Sequence, residues 1–549
     1  MMNEVIDGGL FSNMINAGAA NLHANRELVN DLNVFPIPDG DTGDNMYMTM
    51  DSGAGELSGG DEPGIGEAAS RAAHGMLLGA RGNSGVILSR IFAGIAEGLE
   101  GVNTADVATL SKAFKKGVEE AYKAVSVPVE GTILTVYREA TEYADRQVSP
   151  ETTLLDYFDN LVDELRRSLD RTPELLAVLK EAGVVDSGGA GFVYIAEGMR
   201  KVLTGETVES SSSHAASVKK TDLSLFTENS ELEFGYCTEV LLRLQCSKTD
   251  VDAFDMPALE TWLNDEGDSV VAFKDGSIIK IHVHTRTPGH VLDYCQQYGE
   301  FLTVKIENMT LQHNEHISKD SAEWVKKPHK KYGIVAVAAG DGIKEMFSSL
   351  GCDEVVDGGQ SMNPSAEDFV RAFKNINADT IFVFPNNGNI ILTVNQAASI
   401  YKDAEIRVIP CKTIGEGYAA VSMFDENAQD ADFIENELKE IVSGVVTGIV
   451  SRASRDARRD GINVVSGDYI GFSGDTVYID SPDRLTAAAE LCDRLDAGSC
   501  DVVLIISGKD VPGEEAERMS ATLRQKYKRT EFIVIDGRQP IYDYIIVFE

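Results

Sequence analysis

The spacing of apolar residues divides the chain into three regions. Over residues 1–204, apolar residues recur every three or four positions between short glycine-containing loops, which predicts a helical region. Residues 222–318 contain alternating and helical stretches in the order β-α-β-β-α-β, which is the order of a ferredoxin-like sandwich. In residues 331–549, short apolar strands alternate with helical stretches, which predicts an α/β domain with a parallel sheet.

Two polar segments separate these regions. Residues 205–221 are rich in serine and lack the apolar residues needed to form a core, and residues 319–330 are similarly hydrophilic. We interpret both segments as linkers. Beyond residue 430, a long helix, a strand pair and two further strand-like runs indicate a second lobe of the last domain.

Charge and composition narrow the classes of function. The formal net charge of −39 disfavours nucleic acid and anionic membrane surfaces as partners and suits a partner with a basic docking face, although a generally acidic proteome explains it equally well. No stretch has the length and apolar character of a transmembrane segment, and the first residues do not resemble a secretion signal, so we expect a cytoplasmic protein. Seven scattered cysteines without CxxC spacing indicate reduced thiols.

The stretch NVFPIPDGDTGDNM, residues 33–46, places Asp39, Asp41 and Asp44 in a backbone stiffened by two prolines. An EF-hand calcium loop is excluded, because the fifth position counted from Asp39 is a glycine and the twelfth is a methionine. A helix cap explains one aspartate but not three. Carboxylates two positions apart can converge, and they repel each other unless a cation lies between them. We therefore favour Mg²⁺ carrying nucleotide phosphates over the cap.

Two glycine-rich loops precede apolar helices, at GARGNSGVILSR and at VVDSGGAGF. Glycines and hydroxyls at a helix N-terminus expose backbone N–H groups that bind phosphate oxygens, although plain helix capping is equally common. Neither a Walker-type nor a Rossmann-type glycine motif is present. The candidate residues of these loops are Gly82, Asn83, Ser84, Gly85, Asp186 and Gly188.

A second candidate site lies in the middle region. The strand IHVHT puts His282 and His284 on one face, and Cys237 lies on the more polar face of the strand FGYCTEVLLR. The first and third strands of a ferredoxin-like sheet are neighbours, so Cys237 is expected across from the histidines. A thiolate and two imidazoles are good Zn²⁺ ligands and leave a fourth position open. The alternative is two surface histidines and an unrelated cysteine.

Several motifs together carry a resemblance to a known family. DGGLFSNMINAGAANL, NVFPIPDGDTGDNM, ARGNSGVILSR, GTILTV and VVDSGGAGF occur in the order found in nucleotide-binding domains of the dihydroxyacetone-kinase L type. The chain resembles the bacterial fatty acid kinase FakA family more closely, because the likeness continues through FGYCTE, IHVHT, GQSMNPS, PNNGNIIL and VIPCKTIGEG. The resemblance implies an all-α antiparallel helical barrel that binds ATP through Mg²⁺, an α+β ferredoxin-like middle domain, and an α/β C-terminal domain similar to DegV-type fatty-acid-binding proteins.

The resemblance also assigns roles to residues. Asp39 and Asp41 match metal-binding aspartates, and Asn33 falls one position out of step with another aspartate of the triose kinases. Related sequences usually have threonine where this chain has Asp44, whose side chain we expect to face solvent. The family's middle domain carries a metal on a matching Cys and His pair, which favours the Zn²⁺ site. The motifs of the nucleotide site contain Thr42, Asn45, Gly82, Asn83, Ser84, Gly85, Thr132, Asp186 and Gly188.

The function implied by the resemblance is ATP-dependent phosphorylation of a fatty acid carboxylate, giving acyl phosphate and ADP. The fatty acid would be held by a separate DegV-type carrier protein that docks on the C-terminal domain. A carboxylate is already an anion at neutral pH, so no general base is required. The alternatives are a dihydroxyacetone-type kinase, a non-catalytic nucleotide-sensing scaffold and, third, a zinc hydrolase at the Cys–His site. The exposed sheet face expected in the middle domain is compatible with a homodimer.

Overall fold

The computed structural model describes residues 5–549 except 34–39, 58–63, 126, 206–235, 252–253, 276, 309–328, 360–362, 427 and 429, and at some positions of the middle region it describes only the backbone. The chain forms two compact units, one containing residues 1–212 and 328–549 and the other residues 213–327. Most of both predicted linkers lies outside the described residues, so the predicted domain boundaries stay predictions. Within the described part of the chain, no helix is both long and apolar enough to cross a membrane.

The first region is all-α, as predicted. In the described residues, neighbouring helices pack as a closed ring in which α1 contacts both α2 and α9, so the helices form a barrel. Periodic apolar residues from every long helix fill one continuous core. The helices are α1 (Gly8–Asn30), α2 (Thr42–Glu56), α3 (Ile65–Gly79), α4 (Gly82–Gly98), α5 (Val107–Lys123), α6 (Ile133–Arg146), α7 (Leu154–Leu175), α8 (Ala177–Ala182) and α9 (Ser187–Thr204).

The middle region has the predicted ferredoxin-like order. Its antiparallel sheet has the strand order β2-β3-β1-β4, so the first and third strands are neighbours as expected. Apolar residues on one face of the sheet pack with the two helices in a small core. The elements are β1 (Tyr236–Leu244), α10 (Met256–Glu266), β2 (Asp268–Asp275), β3 (Ile278–Thr285), α11 (Pro288–Gln296) and β4 (Gly299–Asn308).

The C-terminal region begins with the predicted parallel α/β sheet. Its strand order is β6-β5-β7-β8, and buried apolar strands alternate with helices. The elements are β5 (Lys330–Ala338), α12 (Asp341–Ser349), β6 (Glu354–Asp357), α13 (Ala366–Lys374), β7 (Ala378–Phe384), α14 (Ile391–Ile400), β8 (Glu405–Val408), α15 (Ile414–Ser422) and α16 (Ala431–Gly444).

The second lobe is a mixed sheet with more strands than the sequence pattern predicts. The pattern indicates four strands, whereas the sheet has six, in the order β13-β12-β9-β16-β14-β15, and the small hairpin β10-β11 lies apart from it. The two strands that were missed, β9 and β16, pair with each other in its centre. The elements are β9 (Val446–Arg452), β10 (Ala457–Arg459), β11 (Ile462–Val464), β12 (Tyr469–Ser473), β13 (Thr476–Ser481), α17 (Arg484–Arg494), β14 (Val502–Ser507), α18 (Gly513–Lys526), β15 (Glu531–Asp536) and β16 (Tyr542–Phe548).

Close helix crossings in the barrel depend on glycine, most clearly between α4 and α5. A Cβ atom at Gly94 would lie 2.5 Å from the carbonyl oxygen of Lys116 and 2.7 Å from the Cα atom of Gly117. Backbone atoms cannot move aside as a flexible side chain can, so the two helices would have to separate.

We expect Gly94→Ala to lower the free energy of unfolding by about 1–3 kcal/mol through this overpacking. Gly55→Ala is the matched control, because no described atom lies within 4 Å of a Cβ built there. That change should leave stability unchanged or raise it by up to about 1 kcal/mol, since alanine favours the helix. Thermal and urea unfolding of both variants checks the difference, and equal effects of the two substitutions would contradict the proposed crossing.

Candidate functional site

The N-termini of α2, α4, α6 and α9 come together at one end of the barrel. At the start of α9, the Ser187 hydroxyl lies 3.3 Å from the Thr42 hydroxyl of α2. A Cβ atom at Gly82 of α4 would lie 2.7 Å from Asn45 Nδ2 of α2. Each helix N-terminus carries a partial positive charge, so this end of the barrel attracts anions.

Asp186 ties two of these N-termini together. Its carboxylate accepts hydrogen bonds from the Gly189 N–H, at 2.7 Å, and from the Ile133 N–H at the start of α6. Gly188 lies against Ile133, since a Cβ there would be 3.3 Å from the Ile133 Cβ. Burial raises the pKa of Asp186 to about 6, although both N–H bonds oppose the rise.

The start of α2 is capped from α1 and not by its own residues. Asn30 Oδ1 accepts the Gly43 N–H at 2.7 Å, and Asn30 Nδ2 donates to Asp44 Oδ2 at 2.7 Å. Arg26 lies 3.4 Å from the other oxygen of Asp44. Asp44 therefore lies in the first turn of α2, and its partly exposed carboxylate is paired with Asn30 and Arg26 of α1.

The start of α4 is open. Among the described residues, no acceptor receives the backbone N–H groups of Gly82, Asn83 and Ser84. Gly82 adopts the left-handed backbone conformation, with φ of +58°, that lets the chain enter the helix at this angle. A Cβ at Gly85 would clash with the Thr49 hydroxyl, so glycine keeps α4 close to α2. Free N–H groups at a helix N-terminus are suitable for binding phosphate oxygens.

Asp41 lies beside this open helix start. It occupies the cap position of α2 but makes no capping bond, and its carboxylate instead accepts from the Asn45 side chain and, at 2.6 Å, from Asn363 Nδ2. Burial raises the pKa of Asp41 from 3.8 to about 6, and the nearby charge of Asp44 adds to the rise. A buried carboxylate that is not used for capping is free to bind a cation.

Asn363 belongs to the C-terminal region, and the sequence pattern did not assign it to this site. Arg81, just before α4, donates to the Asn363 carbonyl at 2.7 Å and pairs through its backbone with Ser365. Asn83 donates to Asn389 Oδ1 at 3.3 Å. A signal was present, because GQSMNPS and PNNGNIIL follow strand ends, where α/β domains bind ligands, but turn chemistry explains those motifs as well.

Most predicted residues of the nucleotide site lie around this end of the barrel. Asp39 lies outside the described residues. The Asn33 side chain lies near the backbone of Gly40, and the Thr132 hydroxyl donates to the Val129 carbonyl at 2.8 Å. The residues at or beside the four helix starts are Asp41, Thr42, Asn45, Gly82, Asn83, Ser84, Gly85, Thr132, Asp186 and Gly188. Their roles in binding stay predictions.

The backbone of the middle region places the predicted zinc residues on adjacent strands. Cys237 of β1 is directly opposite His284 of β3, and His282 is opposite Glu239, the next residue on the same face of β1. The side chains of Cys237, His282 and His284 are outside the described set. Among the side chains that are described, no group of three His, Cys, Asp or Glu residues could hold a metal ion. The zinc site therefore stays a prediction.

Comparison with known proteins assigns all three regions. Residues 36–201 match the DAK2 domain, residues 233–316 the middle domain of FakA-like fatty acid kinase proteins, and residues 333–549 the C-terminal domain of the same proteins. Protein YloV of Bacillus subtilis is 42% identical over 560 aligned residues that cover 100% of both chains. An uncharacterized protein of Staphylococcus aureus (strain MRSA252) is 38% identical and covers 99% of both.

Solved structures show weaker likenesses. The dihydroxyacetone kinase of C. freundii aligns at 18% identity with a TM-score of 0.28, covering 35% of this chain and 34% of that one. The Streptococcus pneumoniae fatty acid kinase (Fak) B3 protein loaded with linoleic acid aligns at 11% identity with a TM-score of 0.29, covering 40% and 99%. Neither TM-score is high enough to carry an argument. The matches along the whole length of the chain are decisive, and the chain belongs to the FakA-like fatty acid kinase family, with a kinase-type DAK2 domain at its N-terminus.

Proposed function

We propose that this chain transfers the γ-phosphate of ATP to the carboxylate of a fatty acid held by a separate lipid-carrier protein. The products would be acyl phosphate and ADP. The observation that supports this most directly is the open N-terminus of α4 beside the buried carboxylate of Asp41. Such a pair offers N–H donors for phosphate oxygens and a ligand for Mg²⁺ at the same place. The identity of the acceptor as a fatty acid is inferred from the family to which the chain belongs.

The oxygen donors at this place fit Mg²⁺. The Asp41 carboxylate is accompanied by the amide oxygens of Asn83 and Asn363, which are buried and have no hydrogen-bond partner among the described residues. Mg²⁺ prefers oxygen ligands and usually takes only one or two carboxylates from the protein, so the single described carboxylate suffices together with phosphate oxygens. When bound, ATP would supply the phosphoryl group, and Mg²⁺ would neutralise the charge that develops on it.

The residues of this chain would mainly position the reactants. The free N–H groups of α4 would bind phosphate oxygens, and Asp41 would hold the cation. One oxygen of the fatty acid carboxylate forms the new bond to the γ-phosphorus while the bond to the β-phosphate oxygen breaks and ADP leaves. No proton has to move, because the attacking carboxylate is already ionised, so the site requires no general base.

A separate carrier is favoured by the small size of the cavity in the C-terminal region. The cavity between the ends of β7 and β16 has a volume of about 60 Å³ and is lined by residues such as Asn386, Thr413 and Ile545. This volume accommodates about four water molecules and is far too small for a long acyl chain. This cavity of the C-terminal region would therefore not hold the acyl chain, which is compatible with a separate carrier.

A dihydroxyacetone-type kinase and a nucleotide-sensing scaffold are the alternatives. Triose kinases hold their substrate through a histidine on a separate substrate domain, and no segment of this chain resembles that domain. The buried Asp41 and the open α4 N-terminus favour a working kinase over a scaffold.

The proposed phosphate transfer would not require the middle region. For that region we propose a Zn²⁺ site formed by Cys237, His282 and His284. The directly opposed backbone positions of Cys237 and His284 support it, because side chains at opposed positions of antiparallel strands are about 4.5–5.5 Å apart at Cβ. This spacing suits two ligands of one tetrahedral ion.

The kinase proposal predicts ADP release from Mg-ATP and oleate only when a DegV-type lipid carrier is added. Asp41→Ala should reduce that turnover by about 100-fold or more, because it removes the carboxylate that would hold the Mg²⁺ ion beside the transferred group. Asp44→Ala is the matched control and should keep turnover within a few-fold, since that carboxylate pairs with α1. Turnover with dihydroxyacetone and no carrier, or equal losses in the two variants, would contradict the proposal.

The raised pKa of Asp41 predicts how Mg-ADP binding depends on pH. A cation requires the ionised carboxylate, which predominates above a pKa of about 6 and is lost as the pH falls through that value. The affinity of the wild-type protein should therefore exceed that of Asp41→Asn at neutral pH, and this advantage should shrink by up to about tenfold per pH unit below the pKa. Fluorescence titration gives the affinity of both proteins at each pH. The ratio of the two affinities is free of the effect of nucleotide protonation, because that effect is the same for both proteins. A constant ratio of affinities would refute the assignment.

For the zinc proposal, elemental analysis of the purified full-length protein should find about one zinc ion per chain. Cys237→Ser should lose it, because removing one of three ligands opens the site. Cys246→Ser is the control, since Cys246 is an exposed free thiol of the same region. Absence of zinc from the wild-type protein, or its retention in Cys237→Ser, would end the proposal.

A further inference from the structure

The C-terminal region packs against the end of the barrel that carries the candidate site, through a buried and polar contact. Helix α14 lies against α4, and α13 lies against α3. Gln396 of α14, which is only 3% exposed, donates to the Leu77 carbonyl and accepts from the Ser89 hydroxyl at 3.5 Å. The Ala366 N–H donates to the Ala80 carbonyl at 3.3 Å. These hydrogen bonds pair the buried polar groups of the contact and fix how the C-terminal region lies on the barrel.

Asn363 is the point at which this contact reaches the candidate phosphate site. Its side chain is 1% exposed, and its Nδ2 donates to Asp41 Oδ2 at 2.6 Å. Arg81 fixes the backbone of the same residue by donating to its carbonyl at 2.7 Å and also lies 3.9 Å from Asp368. Asn363 is therefore held in place from the barrel side while it holds Asp41.

Two amide oxygens beside this contact are unpaired. Asn363 Oδ1 and Asn83 Oδ1 are buried and have no hydrogen-bond partner among the described residues. Leaving a buried polar atom unpaired costs about 1–3 kcal/mol, so such atoms call for an explanation. A hydrated cation or a ligand with donor groups at this place could pair with them.

We propose that Asn363 is a positioning residue of the phosphate site, so that the C-terminal domain completes the kinase site of its own chain. A carboxylate has about four lone-pair positions, and Asn45 and Asn363 occupy only part of them. Asp41 can therefore keep both hydrogen bonds and still bind a cation. Hydrogen bonds from outside the metal's own ligands orient those ligands, and losing one typically costs about 10–100-fold in metal affinity.

The inference deepens the proposed function and rests on the assignment of Asp41 to a Mg²⁺–nucleotide site. It adds a feature of the site that the barrel would lack on its own. Asn363 lies in the C-terminal domain and donates to Asp41, so the proposed cation ligand of the barrel would be oriented by a residue that the barrel does not itself contain.

The test is Mg²⁺-dependent binding of a fluorescent ADP analogue to the full-length protein, without any fatty acid or carrier. Asn363→Ala should raise the Mg²⁺ concentration for half-saturation by about tenfold or more. Gln396→Ala is the matched control, because it removes hydrogen bonds of the same domain contact without touching Asp41. It should leave the Mg²⁺ midpoint within about twofold of the wild-type value.

Three results of this binding test would overturn the inference: an unchanged midpoint in Asn363→Ala, a lowered midpoint, which would mean that Asn363 competes with the cation, or equal increases in both variants.

Hydrogen exchange of the wild-type protein provides a second measurement that needs no variant. Mg-ADP should slow exchange in residues 363–368 but not in β9, and no slowing there also overturns it. If the wild-type protein binds no Mg-ADP at all, the proposed function itself fails, which is distinguishable from failure of the role of Asn363.

Discussion

The burial of carboxylates among converging helix N-termini is the constraint on which the candidate site depends. Asp41 and Asp186 are both largely removed from water, and burial raises the pKa of each to about 6. Such groups remain ionised near neutral pH only because N–H groups and side-chain amides face them. The barrel supplies most of those partners through its alternating helix directions, since every second long helix begins at the same end, and the C-terminal region adds the amide of Asn363. The directions of the helices therefore determine which charges and ligand atoms meet at this end of the barrel.

The same arrangement explains why neighbouring aspartates of the acidic loop have different surroundings. Asp44 is in the first turn of α2, where its carboxylate contacts Asn30 and Arg26 of α1. Asp41 is at the helix start, where its side chain turns toward α4 and the C-terminal region. Three residues of separation on a helix correspond to most of one turn, so the two carboxylates are close to each other but have different hydrogen-bond partners. Counting carboxylates in the acidic loop could not distinguish these surroundings, because the difference lies in what packs against the loop.

Sequence patterns predicted local structure well and long-range contacts poorly. Helical periodicity, the ferredoxin-like order and the parallel sheet are all confirmed, because each depends on spacings within one element or between neighbours. Strands β9 and β16 were missed, because short apolar runs look alike whether they form strands or parts of helices. Asn363 was missed because it is 322 positions from Asp41 and its surroundings also suit an ordinary turn. The start of α4 was singled out from the sequence, since glycines and a hydroxyl before an apolar helix are a local signal, but plain helix capping fitted that signal equally well.

The position of the C-terminal domain constrains how any acceptor approaches. Phosphate oxygens bound at the start of α4 would lie beside Asn83, whose side chain already contacts Asn389 of that domain. A carboxylate that attacks the γ-phosphate must come within about 3–3.5 Å of the phosphorus. A carrier protein that brings it there would therefore contact the C-terminal domain as well as the barrel, under the proposed function. Docking on that domain and delivery to the phosphate site would then be one event, because the same loops border both places.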